Sequence, residues 1–266
     1  MRFELHCHST CSDGTEPPEH VAARAAERAV AVFALTDHDT CAGSGVTVAG
    51  ARVIRAVELS CDDDGRTVHV LAFDRGGPWH TLEDRLAAVR EARCNRLRVM
   101  AARLARRGIT IDVEALIADA QRRSIGRPDL ARAMVAAGAV ASVKDAFARH
   151  LYDGGPVDVP HHGLSLRDAV AIGRQAGAAL SLAHPHLYDD RSAGYFRRYQ
   201  AEGLTGIEAF YGAYDPGERA RWIALADRLG LTCTGGSDWH GPETSNAAPG
   251  VDLPEDRSAA LLAWLT

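Results

Sequence analysis

The 266-residue sequence has no apolar run approaching the roughly 20 residues that span a bilayer, so no membrane role is predicted. A basic-then-apolar leader is also missing, because Glu4, His6 and His8 interrupt the first apolar residues. The predicted compartment is therefore the cytoplasm. The six cysteines (Cys7, Cys11, Cys41, Cys61, Cys94 and Cys233) form no CxxC pair, which argues against a closed structural zinc site and a disulfide framework. They read as reduced thiols. Nor is there an excess of positive charge: a net charge of -5 offers no general attraction to duplex DNA or anionic lipid. Any phosphate recognition must be local. What the chain does have is 46% hydrophobic residues, enough for a large buried core, and 12 histidines whose positions carry the functional reading.

Short apolar segments alternate with helical ones from the start, the pattern of β/α repeats. Strands are predicted over Arg2 to His6 and in "VAVFALTDHD", "ARVIRAVELS" (ending on Glu58), "RTVHVLAF", "GAALSLAHPH", "LTGIEAFY" and "LTCTGGSDWH". Pro17 and Pro18 mark a helix start before "EHVAARAAERA". Between about Pro78 and Pro160 the composition shifts to Arg, Ala and Leu with helical spacing, beginning with one long amphipathic pattern that Gly108 closes. The predicted organisation is an α/β catalytic unit, residues 1–77 and 161–266, interrupted by a helical insertion, residues 78–160. No linker of low complexity separates the insertion, so it is expected to pack on the main unit and cover its site, with Gly126, Gly154 and Gly155 as flexible points.

Two residues apart in a strand, His6 and His8 put two imidazoles on one face, while Cys7 points the other way into packing. Alone this pair is a weak signal. Further clusters follow: Asp13 in "SDG", Asp37-His38-Asp39 in "TDHD", Glu58, His69, His184 in "AHPH", and Asp238 with His240 in "GSDWH". Imidazole and carboxylate donors without thiolates suit a mixed nitrogen and oxygen site for Mn²⁺, Fe²⁺ or Zn²⁺. These residues fall at or near the carboxyl ends of successive predicted strands, where a β/α barrel assembles its active site.

The ordered set "HCHSTCSDG", "TDHD", "AVELS", His69, "AHP" and "GSDWH" resembles the PHP family, named for polymerase and histidinol phosphatase. The resemblance covers almost the whole chain and implies a distorted (β/α)₇ barrel with two or three divalent metals, most often manganese. It also implies the ligand sets: His6, His8, Glu58 and Asp238 for one metal, Glu58, His69 and His184 for a second with Glu58 bridging, and Asp13, His38 and His240 for a third position.

Such metals favour phosphoester hydrolysis through a bridging hydroxide, with no serine or cysteine nucleophile. The proton for the leaving alkoxide is assigned to His240, His38 or His184, an open choice at this stage. Arg127 in "SIGRPDLAR" matches the arginine of a "GRPH"-like motif in the phosphoesterase group and is the foremost candidate for phosphate, guanidinium being suited to bidentate contact. Arg132 reads as structural. Arg197 and Arg198 are further candidates for a second phosphate, and Tyr188, Tyr211 and Trp239 lie where one could stack on a base. His161 and His162 read as surface residues, and His186 as either pocket-lining or incidental.

The group within the family that this chain most resembles implies removal of the 3'-phosphate from a nucleoside 3',5'-bisphosphate. Short RNA, processed from its 5' end, is the neighbouring substrate class. Histidinol phosphate hydrolysis and a non-catalytic binding module are the remaining alternatives. Nothing in the sequence calls for an obligate protein partner.

Overall fold

The computed structural model describes residues 1–120, 123–160, 163–243 and 248–266; His161 and His162 lie outside them. The strands are β1 (Arg2–Glu4), β2 (Val32–Phe33), β3 (Arg52–Val53), β4 (Ala56–Asp63), β5 (Arg66–Phe73), β6 (Leu164–Ser165), β7 (Ala179–Leu182), β8 (Leu204–Tyr211), β9 (Thr232–Gly236) and β10 (Val251–Asp252). They form two sheets, ordered β10-β1-β2-β3 and β6-β4-β5-β7-β8-β9. The sheets meet at two seams. Past the end of β1, Leu5 donates to the Gly235 carbonyl at 3.2 Å and His8 to that of Trp239 at 2.7 Å, while Asp238 donates back to His6 at 2.7 Å. Past β2, Glu58 donates to Thr36 at 3.2 Å and accepts from Asp39 at 2.9 Å. The result is a distorted α/β barrel whose irregular seams carry the functional residues.

Around the sheets lie α1 (Pro18–Glu27), α2 (His80–Ala105), α3 (Val113–Ala120), α4 (Arg127–Ala136), α5 (Val143–Ala146), α6 (Leu166–Gln175), α7 (Arg191–Tyr199), α8 (Pro216–Leu229) and α9 (Glu255–Trp264). The first half of α2 buries Leu82, Leu86 and Val89 in the main core beside Leu71 and Phe73. Its second half buries Leu97, Met100 and Leu104 with Leu130 and Met134 of α4 in a separate apolar cluster. One 26-residue helix thus ties the two cores together. Among the described residues no helix is long and apolar enough to cross a membrane.

The repeat is less regular than alternating strands and helices suggest. β4 and β5 form an antiparallel hairpin, and β5 is antiparallel to β7. Its turn is Asp64–Gly65, with φ of 53° and 78°, the left-handed pair that a tight hairpin requires. "ARVIRAVELS" therefore does not end on Glu58. It breaks after Val53, where the chain passes from one sheet to the other, and its second half continues to Asp63 to complete the hairpin.

Close approach of β1 and β9 depends on Gly236, where an added β-carbon would lie 2.4 Å from the His6 backbone nitrogen. Overpacking of this kind costs about 1–3 kcal/mol, and here it would push apart the seam that carries His6 and Asp238.

Candidate metal centre and substrate cavity

His6 and His8 follow β1, their ring centroids 5.3 Å apart on the same side of the chain. Cys7 between them is fully buried with Val21, Phe33 and Trp239, on the opposite side. The pairing of β4 with β5 sets Ser60 opposite His69 and Glu58 opposite Leu71, so Glu58, Ser60 and His69 share one face. Asp39, His184 and Asp238, each just beyond a strand, adopt φ of 53°, 27° and 54°. Strained backbone of this kind costs about 1–3 kcal/mol per residue, and here it turns side chains inward at one end of the barrel.

Every residue predicted as a ligand joins one continuous group. Glu58, 1% exposed, is the hub. Its Oε2 lies 3.3 Å from His6 Nε2, 3.2 Å from His8 Nε2 and 3.1 Å from His38 Nδ1. Its Oε1 lies 3.0 Å from His69 Nδ1 and 3.1 Å from His184 Nε2. Asp238 Oδ1 is 3.3 Å from His6 Nε2 and 3.2 Å from His8 Nε2. Asp13 stands on the open side, 3.4 Å from His240 Nε2 and 3.8 Å from His38 Nε2. The central carboxylate is sealed, whereas Asp13, His38, His69 and His240 keep 15–24% of their side chains exposed.

Two observations test whether this group fits metal ions. First, His6 Nε2 and His8 Nε2 are buried without a hydrogen-bond partner, an uncommon state for interior polar atoms. Donors grouped tetrahedrally at about 2.0 Å from a common ion would stand roughly 3.3 Å apart, close to the 3.2–3.3 Å separating these nitrogens from the Glu58 and Asp238 oxygens.

Second, the outer nitrogens are already committed. His6 Nδ1 donates to Glu208 at 2.9 Å, and His240 Nδ1 donates to the Asp238 carbonyl at 2.9 Å. His8 Nδ1 donates to Ser12 Oγ at 3.4 Å, which itself donates to Asp37 at 2.6 Å. Carbonyls and carboxylates can only accept, so these contacts place the proton outside and direct a lone pair into the cluster, as metal-binding histidines require. The residues fit divalent metals.

Their electrostatics agree. Burial opposes the charge on His8, but Asp238 and Glu58 outweigh it and push that imidazole up to about 10. Burial likewise opposes the ionised form of Glu58, yet the surrounding His38, His6 and His69 hold its carboxyl well below the ordinary range. His38 goes the other way: burial dominates, and it is pushed down to about 3.

Two supporting residues are not read as such from the sequence: Glu208 is not singled out there, and Tyr188 reads only as a stacking candidate. Glu208, fully buried in β8, binds His6 and also accepts the His184 backbone N–H at 2.7 Å. The Tyr188 hydroxyl accepts from the His69 backbone at 2.9 Å and lies 3.3 Å from His184 Nδ1. Glu208 sits in the middle of an apolar strand, where a lone charged residue is itself the signal. Of the predicted aromatics, Tyr211 donates to Asp238 Oδ2 at 3.0 Å, whereas Trp239 is packed with Cys7 and Phe33 under Arg24. His186 pairs with the Tyr214 hydroxyl at 2.9 Å.

A cavity of about 770 Å³ opens on Asp13, His38 and His69 and runs to the insertion, where Ser124, Arg93, Arg96 and Arg127 line it. Arg93 is held by Asp39 at 2.8 Å and Ser60 at 2.6 Å. Arg96 is held by the Val159 carbonyl at 2.6 Å, and burial together with neighbouring Arg127 and Arg93 lowers its pKa. Arg127 binds the Leu151 carbonyl and Asp153 and lies over Phe147. Arg197 and Arg198 lie elsewhere, in a shallower depression, with Arg198 paired to Asp63 at 2.8 Å.

Arg132 reaches the Asp13 carbonyl at 3.3 Å and Asp129 at 2.9 Å. Arg123 contacts the Thr10 and Ser12 carbonyls and the same Asp129, which also accepts the Gly126 N–H at 2.8 Å. Arg123 and Arg132, flanking and within α4, therefore grip the loop that bears Asp13.

No protein-family model matches the chain. It is 35% identical over 263 residues to the 3',5'-nucleoside bisphosphate phosphatase of Chromobacterium violaceum, covering 95% of this chain and 92% of that protein. It is 30% identical over 254 residues to the 5'-3' exoribonuclease Rnm of Salmonella typhimurium, covering 90% and 85%. Among solved structures, a protein from Bifidobacterium adolescentis assigned as a metal-dependent phosphoesterase superposes with a TM-score of 0.83 at 30% identity, over 98% of this chain and 96% of that one. Full-length similarity at this level, on a barrel that gathers these donors, shows that the chain belongs to the PHP family of metal-dependent phosphoesterases.

Proposed function

We propose that this protein hydrolyses the 3'-phosphate of nucleoside 3',5'-bisphosphates to give the 5'-mononucleotide and inorganic phosphate. One observation supports the reading above others: a single cavity holds part of the metal-donor cluster, with Arg93 beside it through Ser60, and two further guanidinium groups, Arg96 and Arg127, on its wall. A substrate with two phosphates meets both. Similarity to the bisphosphate phosphatase agrees with this pairing.

In this reading His6, His8, Glu58 and Asp238 hold one metal, Glu58, His69 and His184 a second, and Asp13, His38 and His240 a third. Mn²⁺ is the metal we infer, with Fe²⁺ and Zn²⁺ as alternatives suited to the same imidazole and carboxylate set. When bound, the metals supply an activated water at neutral pH and offset charge on the phosphoryl oxygens. The chain's own residues do the rest. Glu208, Ser12 and the Asp238 carbonyl fix the imidazole tautomers, and Arg127 with Ser124 orients the distal phosphate. His184 has both nitrogens engaged within the cluster, by Glu58 and Tyr188. Burial keeps His38 neutral, which leaves His240, on the exposed side and raised by Asp13 and Asp238 against burial and His8, as the better placed proton donor to the leaving 3'-oxygen.

The decisive measurement compares adenosine 3',5'-bisphosphate with histidinol phosphate on the Mn²⁺-loaded enzyme, following phosphate release and identifying the nucleotide product. The expected product is adenosine 5'-monophosphate. Arg127→Ala should raise KM for the bisphosphate about 10–100-fold, the loss of a charge-assisted hydrogen bond, with a smaller change in kcat. Faster turnover of histidinol phosphate, or release of the 5'-phosphate, would overturn the assignment.

A further inference from the structure

Strand β8 backs the donor cluster with two side chains that a regular strand could not place together. Residues three apart in a strand face opposite sides of the sheet. Yet Glu208 accepts from His6 Nδ1 at 2.9 Å and Tyr211 donates to Asp238 Oδ2 at 3.0 Å, both on the side of the cluster. The register against β9 explains this. Glu208 lies opposite Thr234 and Phe210 opposite Gly235, so two steps on β8 match one on β9, and the fully buried Ala209 is the extra residue. A bulge of this kind re-aims the side chains beyond it. Gly235 admits it, since an added β-carbon there would lie 2.6 Å from that of Phe210. Past the bulge Tyr211 pairs with Gly236, two residues before Asp238, and the phenol reaches the carboxylate.

Asp238 divides its two oxygens. Oδ1 lies 3.3 Å from His6 Nε2 and 3.2 Å from His8 Nε2, whereas Oδ2 accepts the Tyr211 O–H. Such a hold matters here, because Asp238 has 18% of its side chain exposed on a backbone of φ 54°, against 1% for Glu58. The Tyr211 ring is fixed in turn: its centroid stands 5.1 Å from that of Tyr214 and 5.2 Å from that of His186. The Tyr214 hydroxyl holds His186 through its backbone N–H at 3.3 Å and its Nδ1 at 2.9 Å. The aromatic side chains that line the main cavity are Phe147, Tyr188 and Tyr195; Tyr211 is committed to Asp238 instead.

We infer that Tyr211 is a positioning residue for the metal centre, holding Asp238 to a single inward oxygen, Oδ1, rather than an aromatic platform for the base of a nucleotide. This rests on the proposed assignment of Asp238 to a metal with His6 and His8, and is independent of which phosphate ester is hydrolysed. Without the phenol hydroxyl the carboxylate is free to turn or to offer both oxygens. Glu208 and Tyr211 thus act as a pair, one fixing a nitrogen donor and the other an oxygen donor, and one bulge brings both to the same side.

The test sets Tyr211→Phe, which keeps the ring and deletes the hydroxyl, beside Tyr211→Leu, which deletes both. Mn²⁺ affinity, read by competition with a chelator and without substrate, should fall about tenfold in Tyr211→Phe. Binding of adenosine 5'-monophosphate to the Mn²⁺-saturated Tyr211→Leu protein should weaken by less than about twofold, against at least about fivefold for a lost base stack. The opposite pattern, weaker nucleotide binding in Tyr211→Leu with unchanged Mn²⁺ affinity in Tyr211→Phe, overturns the inference. So does unchanged Mn²⁺ affinity in Tyr211→Phe with only a lower Tm of the metal-free protein, which marks a purely packing role. Because Mn²⁺ affinity is read without substrate, a wild type that fails to hydrolyse the bisphosphate sinks the proposed substrate alone.

Discussion

At the barrel rim Glu58 is 1% exposed, and five imidazoles meet its two oxygens within 3.0–3.3 Å. Across the cavity, in the insertion, Arg127 keeps 24% of its side chain exposed and is held by a carbonyl and by Asp153, itself 86% exposed. The first arrangement is over-determined: most donors are fixed from behind, on strands that cannot shift without breaking a seam. The second can adjust. Metal chemistry tolerates errors of only a few tenths of an ångström, while a guanidinium reaching a phosphate can take up slack through its flexible stem. In the proposed reading the rigid part of the protein serves the reaction common to the family, and the adaptable part serves substrate choice.

That contrast breaks most visibly at the hub. Glu58→Gln should lower turnover by at least about a thousandfold, several kcal/mol of lost charge stabilisation, with bound metal falling in parallel. Metal content by mass spectrometry, together with circular dichroism to verify the fold, checks it. Retained metal and activity would remove Glu58 from the centre.

One step further out, Glu208→Gln keeps a polar contact to His6 but weakens its hold on the outer N–H. Metal affinity or activity should drop roughly 10–100-fold, read by competition with a chelator. Where the two regions touch, Arg132→Met releases the Asp13 loop from the insertion. A loss of about fivefold in kcat, near 1 kcal/mol, is expected, together with weaker binding of the last metal equivalent in a titration. An effect on KM alone would mean that the contact serves only the fold of the insertion.

The smallest effect concerns the metal-free protein. His8 is raised from 6.5 to about 10 in the folded state, so it binds a proton more tightly folded than unfolded. Its contribution to stability is complete below pH 6.5 and fades as pH climbs toward 10. Thermal melting of chelator-treated protein should show Tm falling by a few degrees over that window. Metal-loaded protein should not follow it, because ligation needs the neutral imidazole.

Much of the centre was legible because its donors come in short local clusters. "HCHSTCSDG" could be read from the alternation of a strand, and its departure into "SDG" explains why Asp13 reaches the open side of the cluster. What was missed is instructive. Asp64–Gly65 is a hairpin signal, yet the expectation of strictly alternating strands and helices hid it. Without the hairpin, Glu58 reads as a strand terminus, although it sits well inside β4 and gains its burial from that position. Glu208 escaped notice, and Tyr188 reads as a stacking residue rather than a support, because Glu208 acts on an imidazole 202 residues away and Tyr188 on a backbone N–H 119 residues away that no motif marks.

By itself the sequence determined which residue types could bind metal, their order along the chain, the α/β alternation and the arginine-rich character of the region between Pro78 and Pro160. These are local properties, set by composition and by the period of a strand or a helix. Tertiary structure decided which nitrogen of His6, His8 and His240 faces inward, that Arg127 rather than Arg198 lines the main cavity, and that Glu208 backs His6. Those outcomes depend on pairing between distant strands and on hydrogen bonds across the fold, where chain separation carries no information about distance in space.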